Sequence, residues 1–251
     1  MSATESTWTT ELVQQHAQAA VAVEMYTLPF YLTALTSIKD ASAPSYTAIL
    51  GACMEEMLHL ELAANLCIAL GTTPNFTAPQ YGTPIPFFDP DDPETNHHAL
   101  INAVLGPLNE TTLQMMLDIE TPEELETVDN TTPNYPYNSI GAMYEALLGG
   151  IEAVENVNPF PWTQTNQQAM WSPQTFPEKI TNLNDATSAV NTITEQGEGK
   201  TMSPVPSQPF TEEQFPIPTQ NQLANEQFDP APMNSYSHYG RFISIQNAPS
   251  L

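Results

Sequence analysis

An all-α bundle is the architecture that this 251-residue sequence predicts. Three observations carry the prediction. Four stretches, at about 10–39, 44–70, 139–156 and 184–197, repeat apolar residues at spacings of three and four, the period of an amphipathic helix. Little of the chain shows the period-two alternation that marks a strand. Proline-rich segments, drawing on 24 prolines in all, punctuate the chain between the helical stretches. Residues 1–251 read as one domain, with accessory helices at about 97–118 and 235–245 added to the four core helices.

The first core helix, 10–39, carries Val13, Ala17, Ala20, Glu24, Leu28, Tyr31 and Leu35 on one stripe. Glu24 lies within that stripe and not opposite it. Pro29 removes a backbone donor five residues later, so a kink or bulge is expected near Glu24. The second helix, 44–70, has Ser42 as its expected N-cap, Pro44 in its first turn and Gly71 just past its end. Residues 71–96 hold six prolines and no helical period, which makes them a long loop. Helical patterning returns over 97–118 through Leu100, Val104, Leu108 and Leu113. The third core helix is "SIGAMYEALLGGIEAVEN", the fourth "NDATSAVNTITEQG", and a last short helix covers about 235–245. The segments 157–180 and 199–233 are again proline-rich. Loops of this length in a compact domain often cover or shape a site. The aromatic residues of 76–88 and 157–176, with Trp162 and Trp171, are candidates for such a lid or for plain loop packing.

Composition narrows the function classes. The chain has 29 acidic residues against four basic ones, a formal charge of −25. That balance repels nucleic acid and anionic membranes, so neither is expected as a partner. Metal cations are compatible with it. No signal peptide opens the sequence and no run of about 18–20 apolar residues appears, so a cytoplasmic protein is expected. Cys53 and Cys67 are fourteen residues apart on one helix, about 21 Å along its axis, and cannot bridge each other. They read as small buried apolar residues.

The chemistry-bearing stretch is "EEMLHLELAANL", 55–66. Glu56 and His59 are three apart and share one helix face. On that apolar face both are expensive to bury unless something pairs with them. Alone, a Glu-x-x-His is weak evidence, and a solvated surface pair is the default. Its company changes that reading: Glu24 on the first helix, Glu145 in "MYEALL", Glu195 and Glu198 in "TEQGEG", and His238 in "SHYGRF". Helix-borne carboxylates and two histidines are what two metal ions a few ångströms apart require. The carboxylates offset the ions' mutual repulsion and bridge them, and the imidazoles add neutral donors. Glu195 and Glu198 are alternatives at one position. Glu55 points about 100° away from Glu56 and is expected as a supporting or surface group. His16, His97 and His98 are expected to have no role in the site.

The stretches "AVAVEMYTLPFYLTALTSIKD", "EEMLHLELAANLCIALGTTP", "IGAMYEALLGGI", "EQGEG" and "HYGRF" occur in order between residues 20 and 245. Together they resemble the ferritin-like domain of the iminophenyl-pyruvate dimer synthase family, relatives of the imine-coupling enzymes of violacein and rebeccamycin biosynthesis. The resemblance implies a ferritin-like four-helix bundle with two bound iron ions. It implies as ligands Glu24, Glu56, His59, Glu145, Glu195 (with Glu198 as substitute) and His238. A second Glu-x-x-His would need glutamate at position 235, where this chain has Ser235. The implied activity is dioxygen-dependent oxidation or coupling of small aromatic imines, by a homodimer. Zinc or manganese could take the same ligands. The same pocket could instead hold an aromatic chromophore without turnover. Iron storage is disfavoured, because long proline-rich insertions would interfere with a tight shell. Arg241 is the one cation near the expected site, either a clamp for a substrate carboxylate or a counter-charge for the excess acid.

Overall fold

The computed structural model describes residues 7–77, 80–83, 85–88, 102–121, 133, 135–137, 139–168, 179–197 and 237–246. Among these residues there are six helices: α1 (Thr10–Thr36), α2 (Pro44–Ala69), α3 (Glu110–Ile119), α4 (Ile140–Glu155), α5 (Leu183–Gln196) and α6 (His238–Gln246). No strand occurs among them, and Phe88 and Tyr137 form an isolated parallel bridge. The all-α prediction holds.

Helix α1 packs on α2 and α4, α5 packs on α2 and α4, and the four close a ring. Helix α6 leans on α2 and is backed by α3. Helices α1 and α2 are buried over most of their circumference, which fits their continuously apolar composition. By length and mean hydropathy (1.2) α1 could cross a membrane, but 61% of its most apolar window is buried inside the bundle. That qualifies the sequence expectation that no such segment exists.

Local chemistry explains most helix ends. Thr9, Asn109, Ser139 and Asn182 each accept a backbone N–H of the first turn of the helix that follows. Helix α2 departs from expectation. Its N-cap is Ala43, without a side-chain bond, because Pro44 takes the first helical position. Ser42 donates to Asp40 Oδ1 instead. Gly71 follows the end of α2 with φ of +82°, as its type suggested. Helix α1 runs unbroken through Pro29, so no interruption marks Glu24. The single helix expected over 97–118 is corrected. Residues 103–107 are not helical, and Asn109 caps a new helix, α3. Residues 97–101 lie outside the described residues.

The core continues to the N-terminal end of the bundle. Trp8 lies over Gly150 of α4, where an added Cβ would come within 2.6 Å of the indole ring. His16 stacks on Phe87 with ring centroids 3.8 Å apart. Its Nδ1–H donates to the Leu12 carbonyl (2.8 Å), and Nε2 accepts from the Tyr137 hydroxyl (2.8 Å). Burial pushes this imidazole down to about 4, against a raising contribution from the Leu12 hydrogen bond. His16 is a packed, neutral residue without a part in the site, as expected. Cys53 and Cys67 are both buried free thiols.

Candidate metal centre

Five ligand-type side chains converge inside the bundle. Glu24 comes from α1, Glu56 and His59 from α2, Glu120 from the C-terminal cap of α3, and His238 from the start of α6. None is more than 3% exposed. They form two sets, Glu24–Glu56–His59 and Glu56–Glu120–His238, in each of which the ligand atoms lie within 4.8 Å of one another. Glu56 belongs to both.

Each carboxylate is anchored on one oxygen by a hydroxyl donor. Tyr144 donates to Glu24 Oε1 (2.5 Å), Thr27 to Glu56 Oε2 (2.5 Å) and Tyr31 to Glu120 Oε1 (2.7 Å). The other oxygens of Glu24 and Glu56 turn inward. His59 Nδ1 faces Glu24 Oε2 at 3.7 Å and Glu56 Oε1 at 3.9 Å. His238 Nδ1 faces the same Glu56 oxygen at 3.0 Å and Glu120 Oε1 at 3.3 Å. The two imidazoles stack with centroids 5.4 Å apart.

The protonation pattern follows from this crowding. Burial and the charge of Glu56 hold the Glu24 carboxyl well above its usual range. Burial raises Glu120 more than His238 beside it lowers it. Glu56 is drawn the other way. Burial would raise it, but the hydrogen bond and charge of His238, with His59 and Thr27, outweigh that and favour the carboxylate. His59 is lowered by burial and is a neutral imidazole. For His238, burial acts downward, but Glu120, Glu55 and Glu56 hold the imidazolium well above the ordinary range. Protons thus compensate a nest of acids that buried charge alone could not sustain.

Glu55 is buried and not a surface group. Its Oε1 accepts from Arg241 Nη2 (2.8 Å), while Oε2 meets Arg241 Nη1 (2.8 Å) and His238 Nε2 (2.9 Å). Burial would raise its carboxyl, but Arg241 and His238 reverse the shift and keep it ionised. Arg241 has no exposed surface. Of the two roles expected for Arg241, substrate clamp or counter-charge, this buried pairing is the second: the guanidinium is a counter-charge to a buried carboxylate.

Two expected ligands lie elsewhere. Glu145 is half-buried, one residue past Tyr144, whose hydroxyl is the group that reaches the centre. Glu195 is exposed; its neighbour Gln196 is buried, with Oε1 accepting from His59 Nε2 at 2.9 Å. One residue is about 100° of helix rotation, which is the whole error. Glu198, His97, His98 and Trp171 lie outside the described residues. Trp162 donates to Glu155 (3.0 Å) and packs on Phe160, which is loop packing and not a lid over the cluster.

Glu120 was not singled out from the sequence. The stripe Leu113–Met116–Leu117 continues onto it at helical spacing, and all three residues are buried. That phase was readable. Gln196 extends the buried stripe Ala186–Ala189–Ile193 in the same way.

A cavity of about 20 Å³ adjoins the cluster, lined in part by Glu24, Glu56, Tyr144, Ile193 and Gly197. It is about the size of one water. A Cβ at Gly197 would lie 3.2 Å from Glu120 Oε2, so glycine keeps this wall open. The donor set suits transition metals: carboxylate oxygens on several helices, one shared carboxylate, and two imidazoles each presenting Nδ1 inward.

A family model described as Ferritin-like matches residues 17–247, a span that contains every residue of the cluster. A ferritin-like protein from Caulobacter vibrioides has a similar structure, with a TM-score of 0.66 and 29% sequence identity. The match covers 98% of this chain and 75% of that one. No curated protein matches the sequence. The helical ring, its buried carboxylate–histidine cluster and the family match agree: this chain belongs to the ferritin-like family.

Proposed function

We propose that the buried cluster holds two transition-metal ions, iron first among them, and that the protein oxidises a small aromatic substrate with dioxygen. Glu56 carries the metal reading. It is one buried carboxylate common to two ligand sets, each completed by another carboxylate and an imidazole Nδ1. The ligand carboxylates of Glu24, Glu56 and Glu120 offset most of the charge of two divalent ions. A redox-active pair held by these residues would supply the electrons for reduction of dioxygen. The chain contributes the rest. Tyr144, Thr27 and Tyr31 orient the three carboxylates, and the surrounding apolar bundle excludes bulk water.

The small cavity beside the cluster matches dioxygen in size, not an aromatic ring. An aromatic substrate bound there would have to displace lining residues such as Ile140, Tyr144 or Ile193. The resemblance to imine-coupling enzymes supplies the substrate class. The test is oxygen consumption by iron-loaded protein given an aromatic α-imino acid. Uptake with matching substrate loss, abolished by Glu56→Gln, supports the reading. A fully iron-loaded protein that consumes no oxygen with any such imine contradicts it.

A second reading has its own observation. A groove of about 770 Å³ runs along the opposite face of α2, with Met57, Leu60, Ala64, Ile68, Pro74 and Phe76 among its walls. Its size suits a drug-sized apolar ligand, and its lining includes no lysine or arginine to hold a carboxylate. An aromatic ligand carried there without turnover would leave an absorption band in the isolated protein that survives metal chelation.

A further inference from the structure

Both inward-facing imidazoles present Nδ1 to the cluster, and both are tied behind by Nε2, but to unlike groups. His59 Nε2–H donates to the side-chain amide oxygen of Gln196 at 2.9 Å. His238 Nε2–H donates to the carboxylate of Glu55 at 2.9 Å. Glu55 is itself gripped on both oxygens by Arg241 at 2.8 Å. We infer that Glu55 and Gln196 are positioning residues that make the two metal positions unequal, with the Glu56–Glu120–His238 position the tighter. This inference rests on the metal reading of the cluster.

The argument is one of hydrogen-bond chemistry. A group behind a ligating histidine fixes its tautomer and ring orientation, and a carboxylate there raises the basicity of the ligating nitrogen. An amide oxygen fixes the tautomer as well but carries no net charge. Glu55 therefore strengthens His238 as a donor more than Gln196 strengthens His59. Arg241 lets an anionic Glu55 exist without exposure, since an unpaired carboxylate at this depth would take up a proton and lose its acceptor role. Its two contacts also hold the carboxylate plane, so the oxygen facing His238 stays in place. The helices add to the difference. His59 sits mid-helix in α2, where the backbone fixes its course. His238 is the first residue of α6 and depends on side-chain partners for its direction. Its ring meets Glu55, Glu56 and Glu120 and stacks on His59.

The experiment titrates metal-free full-length protein with Mn²⁺. Calorimetry gives the binding constants, and electron paramagnetic resonance separates isolated ions from coupled pairs. Wild type should bind in two steps, with an isolated-ion signal at one equivalent that gives way to a coupled pair at two. Glu55→Gln should weaken the first step about 10–100-fold, the usual effect of losing such a partner. Gln196→Glu should tighten the second step about tenfold, a gain that a merely structural role would not produce. Gln196→Glu leaves the Glu55–Arg241 pair intact, so it stands as a test even where Glu55→Gln fails to fold. Unchanged constants in Gln196→Glu overturn the inference, as does a folded Glu55→Gln that weakens the second step alone. Folded wild type that binds no Mn²⁺, Fe²⁺ or Zn²⁺ removes the metal reading and this inference with it. Two ions bound with variant-insensitive constants remove the inference alone.

Discussion

Replacing Glu56 with glutamine should uncouple the protein's heat stability from metal. The side chain keeps its volume and one carbonyl oxygen, so Thr27 and His238 retain a neighbour in the same place. What disappears is the anionic oxygen shared by both ligand sets. In wild type, metal at one hundred times its dissociation constant stabilises the fold by about 2.7 kcal/mol per site. For 251 residues, an unfolding entropy of about 2.1 cal/mol/K per residue turns that into a rise of about 5 °C in Tm for one site. Two filled sites should give about 10 °C. Glu56→Gln should shift by less than about 2 °C at the same metal concentration. The metal-free variant should stay within a few degrees of metal-free wild type, because lost attraction to His238 is balanced by relief of Glu24 and Glu120. Differential scanning calorimetry with and without Fe²⁺ under nitrogen, or with Zn²⁺ in air, makes the comparison. A Glu56→Gln protein with the full wild-type shift would refute the reasoning, since no other residue belongs to both sets.

Three further outcomes follow from the same geometry. Tyr144→Phe removes the hydroxyl on Glu24 and should weaken metal at the Glu24–Glu56–His59 position about five- to tenfold, the value of about 1 kcal/mol for one hydrogen bond, with the other constant unchanged in a Mn²⁺ titration. His16 binds its proton more weakly folded than unfolded, so the stability it contributes is complete above its ordinary value of 6.5 and is lost as pH falls towards about 4. The loss is at most about 3 kcal/mol; His16→Phe should show a shallower fall of denaturation midpoint over that window, and identical pH profiles would count against a neutral buried imidazole. Gly150→Ala drives a methyl into the Trp8 ring and should cost about 1–3 kcal/mol by overpacking, more than the about 1 kcal/mol of added helix propensity. In a Trp8→Ala background the same change should become stabilising, and a calorimetric double-mutant cycle reads the reversal.

How far the sequence could be read depended on helical phase. Helices α1 and α2 were plain because apolar residues recur over seven turns, long enough for Glu24, Glu56 and His59 to be placed on inward stripes. On the shorter α4 and α5 the phase was uncertain by one residue, enough to exchange Tyr144 for Glu145 and Gln196 for Glu195. A preference for acidic residue types then favoured the wrong neighbour in both cases. Glu120 escaped because the span expected as helical, 97–118, stops two residues short of it, at the C-terminal cap of α3. A counter-charge role for Arg241 was legible but its partner was not, since nothing in the chain pairs it with Glu55, 186 positions away, until α6 is laid against α2.

The account's central claim is that one buried carboxylate joins two metal positions. Anomalous X-ray diffraction from crystals of iron-loaded protein, recorded on both sides of the iron edge, tests it most directly. The account predicts two peaks about 3–4 Å apart, one beside Glu24 and His59, the other beside Glu120 and His238, with Glu56 between them. A loaded crystal with no peak in the bundle, or with iron bound only to surface acids, would contradict it.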